Sequence, residues 1–253
     1  MDTKSPRLGA VAAAVTGARH LRIARNGQDA AAAWHRERAG AIVVCDGCSA
    51  GASSEVGARL AARLVIAGIV ARLEAGKRAG DSTLWSSMRA EVGDQVGAIV
   101  ERMAGDRVAA LHEHFLFTIV AAAWRGDEVA VWALGDGAYA LGDHARTLGP
   151  FHDNQPPYLA YDLLGTHHAP HFVVADAGCG SVVVATDGVA ELGLEGYAQA
   201  AALDRFLAHP DALRRQLALH ARNDERVDWD ARRIVRRPAL LQDDGAVAVL
   251  RWA

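Results

Sequence analysis

Ala41-Ile42-Val43-Val44-Cys45-Asp46-Gly47 and Val182-Val183-Val184-Ala185-Thr186-Asp187-Gly188 are the two stretches on which the fold turns. Each is an apolar, largely β-branched run, the composition of a buried strand, and each ends on an aspartate followed by glycine. The pattern recurs where Trp132-Ala133-Leu134-Gly135 runs into Asp136-Gly137, and Gln242-Asp243-Asp244-Gly245 leads into the last apolar run, Ala246 to Leu250. A buried strand end is a costly place for a carboxylate, because an unpaired charge there is expelled or neutralised. Several such acids imply cations holding them together. Hard oxygen ligands with few histidines among them favour magnesium or manganese over zinc. Glycine after each acid lets a backbone carbonyl or a substrate approach closely. Asp-Gly is also a hairpin signal, and that reading competes most strongly at Asp136. At Asp46 and Asp187 a helical or irregular segment follows, which weakens it.

Working outward, strands are expected at Gly9 to Thr16, Asp29 to Trp34 and Ala41 to Cys45. A helix follows in which Val56, Leu60, Leu64, Ala67, Val70 and Leu73 recur at helical spacing, with Ser53 or Ser54 placed to cap it and Glu55 at its positive end. A second helix covers roughly Ser82 to Met103. Phe115 to Trp124, Glu128 to Leu134 and Ala138 to Leu141 read as successive antiparallel strands. Gly149 to Pro170, rich in Pro and His without a period, reads as a long loop over one edge, and long ordered loops are often functional. Strands resume at His171 to Ala175 and Ser181 to Thr186, helices are expected over most of Tyr197 to Arg236, and a strand closes the chain. Two groups of strands with helix pairs between them predict an α/β (α+β) fold, an α-β-β-α sandwich of two packed mixed or antiparallel sheets flanked by helices. Nothing along the chain suggests a linker, so residues 1–253 are expected to form one domain.

The composition excludes several classes. With 27 Lys and Arg against 30 Asp and Glu, the formal charge is −3, and no basic cluster interleaved with aromatics offers a nucleic-acid footprint. Three cysteines, Cys45, Cys48 and Cys179, are too few for a disulfide framework and fit a reducing, cytoplasmic setting. Cys45 and Cys48 form a Cys-x-x-Cys pair without the second pair that a structural zinc site needs. Lys4 and Arg7 before the apolar run Leu8 to Val15 loosely imitate a signal peptide. Gly9 and the alanines make that run a first strand instead. No stretch is long and apolar enough for a membrane span. His112-Glu113-His114 lacks zinc-protease spacing, and His167-His168 falls in the Pro-rich loop.

The ordered motifs carry a resemblance. His20-Leu21-Arg22, Gly27-Gln28-Asp29-Ala30, Val44-Cys45-Asp46-Gly47, Ser54-Glu55-Val56-Gly57-Ala58, Phe117-Thr118, Gly135-Asp136-Gly137, Ala185-Thr186-Asp187-Gly188 and Asp243-Asp244 follow one another in the chain. In this order they resemble a compact bacterial form of the metal-dependent serine/threonine phosphatases of the protein phosphatase 2C family. The resemblance implies that Asp46 bridges two metal ions and that the Gly47 carbonyl helps hold one. It further implies that Asp187 and Asp243 ligate the other and that Asp136 belongs to a weaker third site. Asp29 matches the first acidic motif, with Gln28 standing where many members carry glutamate, so that Gln28 could ligate only neutrally or through water. Catalysis then falls to Asp46, Asp187 and Asp243 with two or more Mn2+ or Mg2+ ions. A bridging hydroxide attacks phosphorus in line, with no phosphoenzyme intermediate. Arg22 and Arg25 both lie where the family's phosphate-binding arginine falls, and spacing does not choose between them. Cys48 stands where the best-known members have a histidine, a possible general acid, so leaving-group protonation must come from elsewhere. The expected partner is a phosphorylated protein, the substrate of a bacterial serine/threonine kinase. A degenerate member that binds a partner or phosphopeptide without turnover is the rival reading.

Overall fold

The computed structural model describes residues 8–201, 204–209 and 211–252. Lys4 and Arg7 of the N-terminal run lie outside them. The chain opens with β1 (Gly9–Val15), a short α1 (Ala18–Arg22), β2 (Ala30–Arg36) and β3 (Ala39–Cys45). Three helices follow, α2 (Ser54–Glu74), α3 (Ser82–Val100) and α4 (Arg107–His114), and then β4 (Ile119–Arg125), β5 (Glu128–Leu134), β6 (Gly137–Leu141) and β7 (His144–Leu148). After α5 (Ala160–Leu163) come β8 (His171–Asp176), β9 (Ser181–Ala185), α6 (Asp187–Ala190), α7 (Leu194–Ala201) and α8 (Ala212–His220). A hairpin of β10 (Asp224–Asp228) and β11 (Arg233–Arg237) precedes the closing β12 (Gly245–Arg251).

The strands form two five-stranded antiparallel sheets, β1-β12-β9-β6-β7 and β2-β3-β4-β5-β8, and the expected sandwich is what the chain builds. Side chains of a strand alternate between faces, and here each face is covered. In β3, Ile42 and Val44 point into the layer between the sheets, while Ala41, Val43 and Cys45 pack under α2 and α3. In β9, Val182 and Val184 enter the same central layer, and Val183 and Ala185 pack with residues of α7 and α8. This explains why both runs are apolar at every position rather than at every second one.

Four details depart from the sequence reading. The buried face of α2 is not the Val56–Leu60–Leu64 row. Val56 is exposed, and Ala58, Ala61, Ala62, Val65, Ile69 and Leu73, the last a member of the expected row, are buried in the core. Gly57 closes on His114 and Phe115 and Gly68 on Met88 of α3, because small residues let a long helix lie close to its neighbours. Ser53 occupies the N-cap without a side-chain bond, and Ser54 turns inward instead. The segment after Asp136 does not return as a hairpin beside β5: β5 pairs β4 and β8, while β6 belongs to the other sheet. Gly135-Asp136-Gly137 is therefore a crossover between sheets, with both glycines at positive φ. Finally, 224–237 is not helical. Val227, Ile234 and Val235 favour strand, and the turn is held by Ala231 N–H donating to Asp228 Oδ1 at 3.0 Å.

Trp85, Trp124, Trp132 and Trp252 belong to the core, Trp34 is half-buried and Trp229 is exposed. Trp85 stacks on Trp132 at 6.3 Å, and Trp124 stacks on Trp252 at 5.4 Å. No helix among the described residues is long and apolar enough to cross a membrane.

Candidate functional site

β3 and β5 of one sheet and β9 and β12 of the other bring their aspartate-bearing ends to a common cavity of about 160 Å3. Gln28, Asp29, Asp46, Gly47, Asp136, Asp187 and Asp243 all line it. Asp46 stands within hydrogen-bonding reach of both Asp29 and Asp187. Burial, followed by the charge of Asp29 and then of Asp187, pushes Asp46 well above the usual carboxylate range. Burial likewise raises Asp29, against the hydroxyl of Thr186, which donates to it at 2.6 Å. Asp136 is pushed up to about 6 by burial and by Asp187. No lysine, arginine or histidine is among the residues lining the cavity. Asp244 lines the cavity as well, but it is paired with His20. Of the other five, Asp29 is buried, Asp46 and Asp136 are half-buried, and Asp187 and Asp243 are open to solvent. With no side-chain cation among them, divalent ions that prefer hard oxygen ligands would supply the missing charge. The donor set fits magnesium or manganese.

The backbone sets these acids in place. Gly47 N–H donates to the Gln28 carbonyl at 3.2 Å, Cys48 N–H to Leu116 at 2.9 Å, and Thr118 N–H to the Asp46 carbonyl at 2.8 Å. This leaves the Gly47 carbonyl without a backbone donor among the described residues, free to act as a ligand. A Cβ at Gly47 would lie 2.9 Å from the Gln28 and Ser54 carbonyls, so only glycine fits.

Asp244, the residue beside Asp243, is a brace that the motif reading did not single out. Its Oδ1 accepts from Gly17 N–H at 2.8 Å, and its Oδ2 accepts from Gln28 N–H at 2.6 Å and pairs with His20 Nδ1 at 2.7 Å. His20, Asp243 and Asp244 could offer three ligand atoms within 4.8 Å. The three bonds already made by Asp244 assign it to holding the first acidic motif against the last strand rather than to a metal. The peptide at 243–244 is gripped so closely that a Cβ at Gly17 would fall 2.0 Å from the Asp243 carbonyl oxygen, and one at Gly188 2.1 Å from that of Asp244.

Gln28 faces the cavity with its amide nitrogen committed: it donates to Ser54 Oγ and lies 3.3 Å from the Cys48 carbonyl. Only the amide oxygen remains for a cation. The two arginines separate. Arg25 donates to the carbonyls of Ser49 at 3.0 Å and Gly51 at 2.9 Å, fixing the loop after Gly47, whereas Arg22 is exposed and makes no described hydrogen bond or ion pair. Neither lines the cavity.

Thr118, Pro156 and Tyr158 also line it, and the sequence reading assigned them no role. Pro156 and Tyr158 come from the long 149–170 segment, whose length and composition were the available signal. That segment is anchored at a distance from the site, where the Arg89 guanidinium forks onto Asp162 with two bonds of 2.7 Å and reaches the His168 carbonyl at 2.8 Å.

The sequence model of the protein phosphatase 2C family matches residues 16–221. No curated sequence matches the chain. Among solved structures, serine/threonine phosphatase Stp1 from Staphylococcus aureus is 13% identical, with 98% of this chain and 96% of that chain covered and a TM-score of 0.64. The catalytic domain of serine threonine protein phosphatase PstP, in complex with two manganese ions, is 17% identical over 96% of this chain and 97% of its own, with a TM-score of 0.59. A bacterial serine phosphatase is 13% identical over 97% and 98% of the two chains, with a TM-score of 0.63. At these identities the structures establish a shared fold. With the match covering most of its length, the chain belongs to the protein phosphatase 2C family.

Proposed function

We propose that this chain, folded as one domain, is a metal-dependent protein serine/threonine phosphatase. The observation that carries the proposal is the convergence of Asp29, Asp46, Asp136, Asp187 and Asp243 on one cavity that no side-chain cation lines. Two manganese or magnesium ions held there would acidify a water for in-line attack on phosphorus and offset the charge of the phosphate. Asp46, between Asp29 and Asp187, is the natural bridge, and Asp187 and Asp243 complete the set, with the Gly47 carbonyl. Asp136 belongs to the same carboxylate wall. Arg25 is the better placed of the two arginines, since it shapes the loop carrying Ser49, but with its guanidinium on two carbonyls it orders the loop rather than waiting free for phosphate. The substrate class is a phosphoserine or phosphothreonine protein, and a cytoplasmic setting accords with three free cysteines.

Purified protein with manganese is expected to hydrolyse an aryl phosphate and phosphopeptides. Asp46→Asn and Asp187→Asn should each lower the rate by about 10²-fold or more while the fold is kept. Full activity in chelator, or in either variant, would sink the metal mechanism. The commitment of the Gln28 amide to Ser54 favours one competing reading, a binding module without turnover. Metal-replete wild-type protein that binds phosphopeptides and leaves them intact would establish that one instead.

A further inference from the structure

We infer that the Tyr158 hydroxyl donates the proton that the departing serine or threonine oxygen needs. The inference rests on the phosphatase reading above and adds a residue to it. When phosphoserine is hydrolysed, a water oxygen bonds to phosphorus and the bond from phosphorus to the serine oxygen breaks. The alkoxide so formed is strongly basic and needs a proton as it leaves. No histidine or lysine lines the cavity, and Cys48, Ser49, Thr118 and Tyr158 are its neutral O–H and S–H donors.

In-line displacement separates them. The attacking water is generated at the carboxylates, and the leaving oxygen departs on the other side of phosphorus. Cys48 and Ser49 continue the Asp46 loop, and Thr118 is bonded through its backbone N–H to the Asp46 carbonyl, so the backbones of all three are fixed to the carboxylate frame. Tyr158 comes from a separate segment and faces the same cavity, and its hydroxyl lies within hydrogen-bonding reach of the Cys48 side chain. It is also held in place. Its ring meets Tyr161 edge-on at 5.4 Å, Leu159 and Ala160 beside it are buried, and the Arg89–Asp162 fork ties the segment to α3. Burial, and after it the contact with Cys48, raises the phenol above its ordinary range. In the step itself, the Tyr158 hydrogen passes to the serine oxygen and the phenolate regains a proton from solvent. The attacking water keeps one hydrogen on the phosphate and gives the other to solvent, so that free serine and hydrogen phosphate result.

The test compares leaving groups. Nitrophenolate departs without help, whereas the serine alkoxide does not. Tyr158→Phe should therefore lower kcat on a phosphoserine peptide by about 10²-fold and leave kcat on p-nitrophenyl phosphate within about threefold of wild type. Manganese affinity by calorimetry should be unchanged. Equal losses on both substrates, or no loss on either, would overturn the assignment. Wild-type protein inactive on both substrates with manganese would instead overturn the phosphatase reading itself.

Discussion

Asp244 shows how one side chain joins distant parts of the sequence: through His20 and the Gly17 and Gln28 amides it ties the start of the chain to its last strand. The sequence offers only a pair of adjacent aspartates there, with nothing to say that Asp243 is the solvent-open one and Asp244 the buried brace. Asp46 and Asp187 were legible because a buried run precedes and glycine follows each, and Asp243 because it stands two residues before the last strand. Tyr158 was not, since a tyrosine in an aperiodic segment has no pattern to set it apart. The carboxylates also make stability depend on pH. Asp136 titrates near 6 in the folded protein against about 4 in an unfolded chain, and Asp29 and Asp46 are raised as well. Over the window from about 4 to 6, and above it for the latter two, the folded state holds more protons than the unfolded state. Their contribution to stability is thus complete at low pH and is lost as pH rises. In chelator, the melting temperature should fall between about pH 5 and about pH 8, and manganese should restore more of it at the upper end than at the lower. Calorimetric scans with and without metal check this, and a manganese effect equal at both pH values contradicts it.

At the scale of elements, the segment between β7 and β8 behaves as an anchored arm rather than as a loose loop. Its far end is fixed by the half-buried Arg89–Asp162 fork, to which His167 adds a contact at 3.1 Å, and its near end delivers Pro156 and Tyr158 to the cavity. Arg89→Ala strands Asp162 and should cost about 1.5–3 kcal/mol in urea unfolding. Turnover of phosphopeptides should fall more than turnover of p-nitrophenyl phosphate, because Tyr158 loses its support. Proportional losses on the two substrates would separate the anchor from the chemistry. Helix α2 illustrates the opposite error of reading. The sequence draws the eye to Val56, Leu60 and Leu64, yet the buried face is built mainly from glycine and alanine with Val65, Ile69 and Leu73 among them, as a helix packed close to its neighbours requires. Hydrophobic spacing locates a helix well, but when both faces carry apolar groups the partner surface decides which face is buried. The β10–β11 hairpin was hidden for a related reason, since arginines and acids outnumber its strand-favouring residues, Val227, Ile234 and Val235, and leave no apolar alternation to read.

For the molecule as a whole, three apolar layers hold the site: one between the sheets and one under each set of helices. Ile42 is fully buried in the central layer, in β3, the strand that runs into Asp46. Ile42→Ala should cost about 2–5 kcal/mol in denaturant unfolding through the cavity it leaves. A loss well below 1 kcal/mol would show that the sheets can close over the gap. The sequence by itself determined the identity and order of the strands that carry acids, the helices between them, and the class of ion that such acids attract. Local periodicity and the cost of burying charge suffice for that. Which strands pair, that Asp136 crosses between sheets instead of turning back, and that Tyr158 reaches the carboxylates were decided only by tertiary structure. Those outcomes depend on contacts between residues far apart in the chain, which no local pattern encodes.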